Sequence, residues 1–105
     1  MKILLTGCAG FIGYHVALKL LDQNHKVIGI DSLNKYYELK LKKYRLRNLK
    51  IIKKFIFIKD TLKDINKIKK IIKKYKIDKV VHLAAQPGVR YSLINPRSYI
   101  DNNLL

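Results

Sequence analysis

A chain of 105 residues, 49% of them apolar, can build one small domain with a true core. The lone Cys8 excludes an internal disulfide and suits a reducing cytoplasm; no apolar run approaches the roughly 18 residues of a membrane span, and no leader with a cleavage site opens the chain. The formal net charge of +16, concentrated between Lys35 and Lys79, is carried almost wholly by lysines among isoleucines, tyrosines and asparagines, a mixture that codon bias in an A+T-rich genome produces, so it reads as solvated lysine faces rather than an RNA-binding surface with interleaved aromatics and glycines.

Lys2–Thr6 (KILLT) is a short apolar run, as in a parallel strand buried on both faces. Phe11 to Asn24 has helical spacing, with Ile12, Val16 and Leu20 on one stripe and Ala17 and Leu21 beside it. Lys26–Ile30 (KVIGI) is a second strand that runs into Asp31, and Ser32–Lys35 reads as a loop. Tyr37, Leu41 and Tyr44, with Leu46 and Leu49 following, suggest a basic helix, and Lys54–Ile58 (KFIFI) a third strand. Thr61-Leu62-Lys63-Asp64 resembles a capping box, opening a helix with Ile65, Ile68, Ile71, Ile72 and Tyr75 on one face and lysines opposite. Lys79–Leu83 (KVVHL) is a fourth strand, Ala84–Asn95 a loop, and Pro96 the first turn of a further helix. Alternation of short apolar strands with amphipathic helices predicts an α/β fold: a parallel sheet in the order 3-2-1-4 with right-handed crossovers and helices on both faces.

Gly7, Gly10 and Gly13 fall where the first strand hands over to the first helix. A phosphate can meet the free N–H groups and positive end of a helix there. In that reading Gly7 permits the tight turn, Gly10 leaves no side chain between backbone and pyrophosphate, and Gly13 lets the helix lie close to the sheet. The spacing alone is a weak signal. Here it follows a strand, opens a helix, and precedes a second strand ending in Asp31, which is placed to bind both hydroxyls of an adenosine ribose. A carboxylate accepts from a 2′-hydroxyl and repels a 2′-phosphate, which favours NAD over NADP.

TGCAGFIG, the DSLN at Asp31–Asn34 and HLAAQPGVRYS at His82–Ser92 resemble the N-terminal part of extended short-chain dehydrogenases/reductases. Within that family the chain is most similar to NAD-dependent nucleotide-sugar epimerases of the UDP-glucuronate 4-epimerase type, along its whole length. The resemblance implies a Rossmann-type sheet, truncated after about four strands. It implies that Gly7, Gly10 and Gly13, with the amides of Phe11 and Ile12, bind pyrophosphate. Asp31 and Asn34 would hold the adenosine ribose, and Asp60 and Thr61 would lie along the adenine. Leu83, Ala84, Ala85 and Gln86 would line the cofactor, with Asn103 near the nicotinamide. Arg90 would face the sugar nucleotide, where a guanidinium suits a carboxylate or phosphate; a surface salt bridge is its other reading.

Other reactive residues have plainer readings. Cys8 is a small filler, His82 a satisfied core histidine, and His15 and His25 are surface and turn residues. The histidines and cysteine match no standard metal-site spacing.

The family's chemistry removes a hydride from a sugar carbon to NAD and returns it to the other face. It needs a tyrosine with a lysine one helical turn later, which the resemblance puts beyond residue 105. Tyr36/Lys40 and Tyr75/Lys79 share that spacing, but chance supplies such matches in a chain this rich in both residues, and neither pair is in position. The expectation is therefore an NAD-binding fragment with no catalytic residue of its own, inactive alone, from a cytoplasmic parent that binds a UDP-sugar and forms a homodimer. It would also leave the outer edge of its fourth strand uncovered and be poorly stable. Two alternatives stay open: a non-catalytic NAD-binding regulatory module, and a basic nucleic-acid-binding domain.

Overall fold

The computed structural model describes residues 1–33, 39–61, 63–83 and 92–94. Strands β1 (Lys2–Thr6), β2 (Lys26–Asp31), β3 (Phe55–Lys59) and β4 (Lys79–His82) alternate with helices α1 (Phe11–Asp22), α2 (Leu39–Lys50) and α3 (Ile65–Tyr75). These strands are parallel, in the order β3-β2-β1-β4, as the alternation predicts. No described helix is long and apolar enough to cross a membrane.

The period-2 pleat of each strand splits the core into two layers. Ile3, Leu5, Val27, Phe55 and Val81 meet α1 and α2 through Ala17, Leu21, Leu46 and Leu49. Leu4, Ile28, Ile30 and Val80 meet α3 through Ile68 and Ile72. The chain moves outward from β1 to β3 and then doubles back to β4. A constant crossover hand requires the returning helix, α3, to lie on the opposite face from α1 and α2.

Several local expectations are corrected. The buried row of α1 is Gly13, Ala17 and Leu21, while Ile12 is 40% exposed. Gly13 draws that row inward by its close approach to the turn after β1. In α2 the buried residues are Leu46 and Leu49, and Leu41 and Tyr44 point outward. Helix α3 begins later than a capping box at Thr61 would have it. Asp64 is itself the N-cap, its Oδ1 accepting from Asn66 N–H at 2.9 Å. The third strand is shifted by one residue, and the fourth ends at His82.

The segment read as a loop over Ala84–Asn95 contains a strand, β5 (Ser92–Ile94), antiparallel to β4. The connection from His82 to Ser92 is too short for the dozen or so residues that a parallel crossover needs, so only a folded-back pairing can form. The outer edge of β4 is therefore paired along Val80–His82, which corrects the expectation of an uncovered edge. The helix beginning at Pro96 lies outside the described residues.

Candidate functional site

The carboxyl ends of β1, β2, β3 and β4 place Thr6, Asp31, Lys59 and His82 along one edge of the sheet. Strand order reverses between β1 and β4, the place where open α/β sheets leave a crevice for ligands.

The turn after β1 is built on backbone. Gly7 has φ +71, and its N–H donates to Ile30 O at 2.7 Å. A Cβ there would stand 2.2 Å from Leu83 O, so both conformation and space require glycine. Gly10 N–H donates back to Gly7 O at 3.2 Å. A Cβ on Gly13 would lie 1.9 Å from that same carbonyl oxygen, so Gly13 seats α1 against the turn's own backbone rather than against the sheet directly.

Gly10 differs from both. Its φ of −69 is ordinary, and among the described residues a Cβ would meet only Gly7 O at 3.4 Å. Among the described residues, nothing in the packing demands a glycine there. Gly10 is the N-cap of α1 and offers no side-chain cap, and the first turn carries no acidic residue. The leading N–H groups of a helix have no partner within it. Those of Phe11 and Ile12 thus stand at an uncapped positive helix end, while Asp64 caps the corresponding end of α3.

Asp31 is buried and held on both oxygens. Oδ2 accepts from Ala9 N–H at 3.0 Å, and Oδ1 accepts from Leu33 N–H at 2.9 Å and lies 3.4 Å from Lys42 Nζ. The carboxylate is therefore tied directly to the glycine turn. At the neighbouring strand end, Asp60 N–H donates to Asp31 O at 3.2 Å. Asp60 Oδ1 accepts from Thr61 N–H at 2.7 Å, and Oδ2 lies 3.6 Å from Lys67 Nζ. Leu83 is buried with its carbonyl against Gly7. The fold thus gathers Gly7, Gly10, Phe11, Ile12, Gly13, Asp31, Asp60, Thr61 and Leu83 at one edge. Asn34, Ala84, Ala85, Gln86, Arg90 and Asn103 lie outside the described residues.

Sequence reasoning missed two cations. Lys42 reaches Asp31, and Arg45, one turn further along α2, donates from Nη1 to Ala9 O at 3.1 Å. Their signal was the helical offset from Leu46 and Leu49, which puts both on the packing side of α2.

Cys8 is fully buried against Gly29, where an added Cβ would meet its Sγ at 2.8 Å. Burial, reinforced by the Asp31 charge, pushes its thiol far above the ordinary range, so it is a protonated filler and not a nucleophile. Tyr75 ends α3 and Lys79 begins β4, so that pair shares no helix face.

Thr6 Oγ1 accepts from Leu83 N–H at 2.9 Å and lies 2.8 Å from His82 Nδ1. The hydroxyl fills both roles when it donates to Nδ1, with the ring proton on Nε2. Burial lowers the proton affinity of His82. As pH falls below the ordinary histidine value of about 6.5, the unfolded chain takes up this proton before the folded one does. Stability is therefore full above that value and declines as pH falls through the lowered folded value. Denaturant unfolding at pH 7.5 and 5.5 checks this: His82→Gln is expected to lose less stability on acidification than the parent, and equal losses would refute it.

A three-layer doubly wound sheet with a glycine turn at its first strand–helix junction and an acid closing the second strand defines the Rossmann class. The sequence places it more narrowly. Residues 4–105 match the family model described as GDP-mannose 4,6 dehydratase, and the chain belongs to that family. It is 50% identical over 105 residues to protein CapI of Staphylococcus aureus, covering 100% of this chain and 31% of that protein. It is 42% identical to a probable UDP-glucuronate 4-epimerase of Rhizobium meliloti, again covering 100% of this chain and 31% of the relative. Among solved structures, UDP-glucuronic acid 4-epimerase from Bacillus cereus in complex with UDP-glucuronic acid and NAD matches with a TM-score of 0.71 and 39% identity, over 99% of this chain and 33% of that one. The same enzyme in complex with NAD gives 0.70 and 40%, over 84% and 28%. The chain thus spans about a third of the length of these relatives.

Proposed function

We propose that this chain is the NAD-binding N-terminal portion of a nucleotide-sugar epimerase of the UDP-glucuronate 4-epimerase type. The observation that carries the reading is Gly10: no contact within the described chain requires it, yet it stands at the uncapped end of α1, on the turn that Asp31 braces. A pyrophosphate accounts for it. The phosphates would accept from Phe11 and Ile12 N–H, Asp31 would accept from the adenosine ribose hydroxyls, and Asp60 and Thr61 would lie along the adenine. NAD supplies the hydride acceptor. This chain's part is to bind and orient it.

In the parent protein, Leu83, Ala84, Ala85 and Gln86 would line the cofactor, Asn103 would lie near the nicotinamide, and Arg90 would face a UDP-sugar. The tyrosine and lysine that move the proton would come from residues following this segment. The parent would be a cytoplasmic homodimer.

Titration of the chain with NAD, together with an assay for interconversion of UDP-glucuronate and UDP-galacturonate, tests this. Saturable NAD binding without turnover is expected. Turnover would overturn the assignment of the chemistry to absent residues, and failure to bind NAD would overturn the reading as a whole.

A further inference from the structure

The strand-end acid that favours a 2′-hydroxyl does not act alone in this chain. Lys42 Nζ lies 3.4 Å from Asp31 Oδ1, and the two side chains are only 15% and 4% exposed. Dissolved salt screens so sheltered a pair much less than a surface pair. Arg45 reaches Ala9 O from the same helix, and its guanidinium carbon stands 5.8 Å from the centre of the Phe11 ring. The other basic residues described on α2, Lys40, Lys43, Arg47 and Lys50, are exposed and face solvent. Among the described residues, α2 thus brings two cationic side chains, Lys42 and Arg45, to the carboxylate and the turn it braces.

We propose that Lys42 sets how strongly the site discriminates between dinucleotides with a 2′-hydroxyl and those with a 2′-phosphate. The inference rests on the dinucleotide reading above. A bare strand-end aspartate repels a 2′-phosphate by its full charge. Here the ammonium on Oδ1 offsets much of that repulsion, and Arg45 adds further positive potential. The effect is unequal between the two ligands. A neutral 2′-hydroxyl gains little from a nearby cation, whereas a phosphate carrying nearly two charges gains a great deal. Lys42 therefore narrows the preference that Asp31 creates: NAD still binds more tightly, and NADP remains a ligand.

Titration of the whole chain with NAD and with NADP tests this, in the parent and in Lys42→Met, Lys42→Gln and Lys42→Arg. In the parent, NADP is expected within about tenfold of NAD. Lys42→Met and Lys42→Gln should each weaken NADP about tenfold more than NAD, while Lys42→Arg keeps the parental ratio. If one neutral variant fails to fold, the other carries the comparison. If neither neutral variant folds, the parental ratio decides alone. A ratio unchanged in a folded neutral variant, or NADP binding more than a hundredfold weaker than NAD in the parent, overturns the inference and leaves the proposed function standing. Binding of neither dinucleotide overturns both.

Discussion

Gly13→Ala is expected to unfold the chain or cost it more than about 3 kcal/mol, while Gly10→Ala leaves stability within about 1 kcal/mol of the parent and removes most NAD binding. The two substitutions are chemically identical, three residues apart on one turn. At Gly13 the added methyl would lie 1.9 Å from Gly7 O and 2.8 Å from Gly7 C, so backbone must move. Gly7 cannot yield easily, because its φ of +71 and the nearby Leu83 carbonyl already constrain it. At Gly10 the same methyl meets, among the described residues, only Gly7 O at 3.4 Å, and the φ of −69 suits alanine. Its cost appears only when a pyrophosphate must approach the helix end. Urea unfolding of both variants, with NAD titration of Gly10→Ala, separates the two roles. Parental NAD affinity in Gly10→Ala would remove the ligand explanation for that glycine.

Asp31→Ala is expected to weaken NAD by about 10- to 100-fold, because two hydroxyl donors lose a charged acceptor. It should also cost about 1–3 kcal/mol of stability, since Ala9 N–H, Leu33 N–H and the Lys42 ammonium lose their shared partner. NADP should suffer less than NAD, because removing the carboxylate also removes its repulsion of the 2′-phosphate. Paired titrations of parent and variant read this directly. Equal losses for both dinucleotides would show that Asp31 braces the turn without reading the ribose.

The alternation of apolar strands with amphipathic helices was enough to determine, from sequence alone, the parallel sheet, the order of its first strands and the edge on which the glycine turn meets Asp31. Those features depend on local periodicity, on the short reach of each connection and on a single crossover hand. The need for glycine at position 7 was legible for the same reason, as a tight turn between two recognisable elements.

Tertiary structure decided what depends on close approach between distant segments. The inward row of α1 runs through Gly13, Ala17 and Leu21 because Gly13 nests on Gly7 O, a contact that spacing along the helix cannot show. Asp64 rather than Thr61 caps α3, since a cap depends on where the backbone first turns helical. Pairing of β5 with β4 follows from an open edge within reach of a short return. Lys42 and Arg45 read as two more cations in a basic helix until packing of Leu46 and Leu49 turned that face of α2 toward the glycine turn. Composition lists charges, but only the packed helix sets an ammonium 3.4 Å from the buried Asp31 carboxylate.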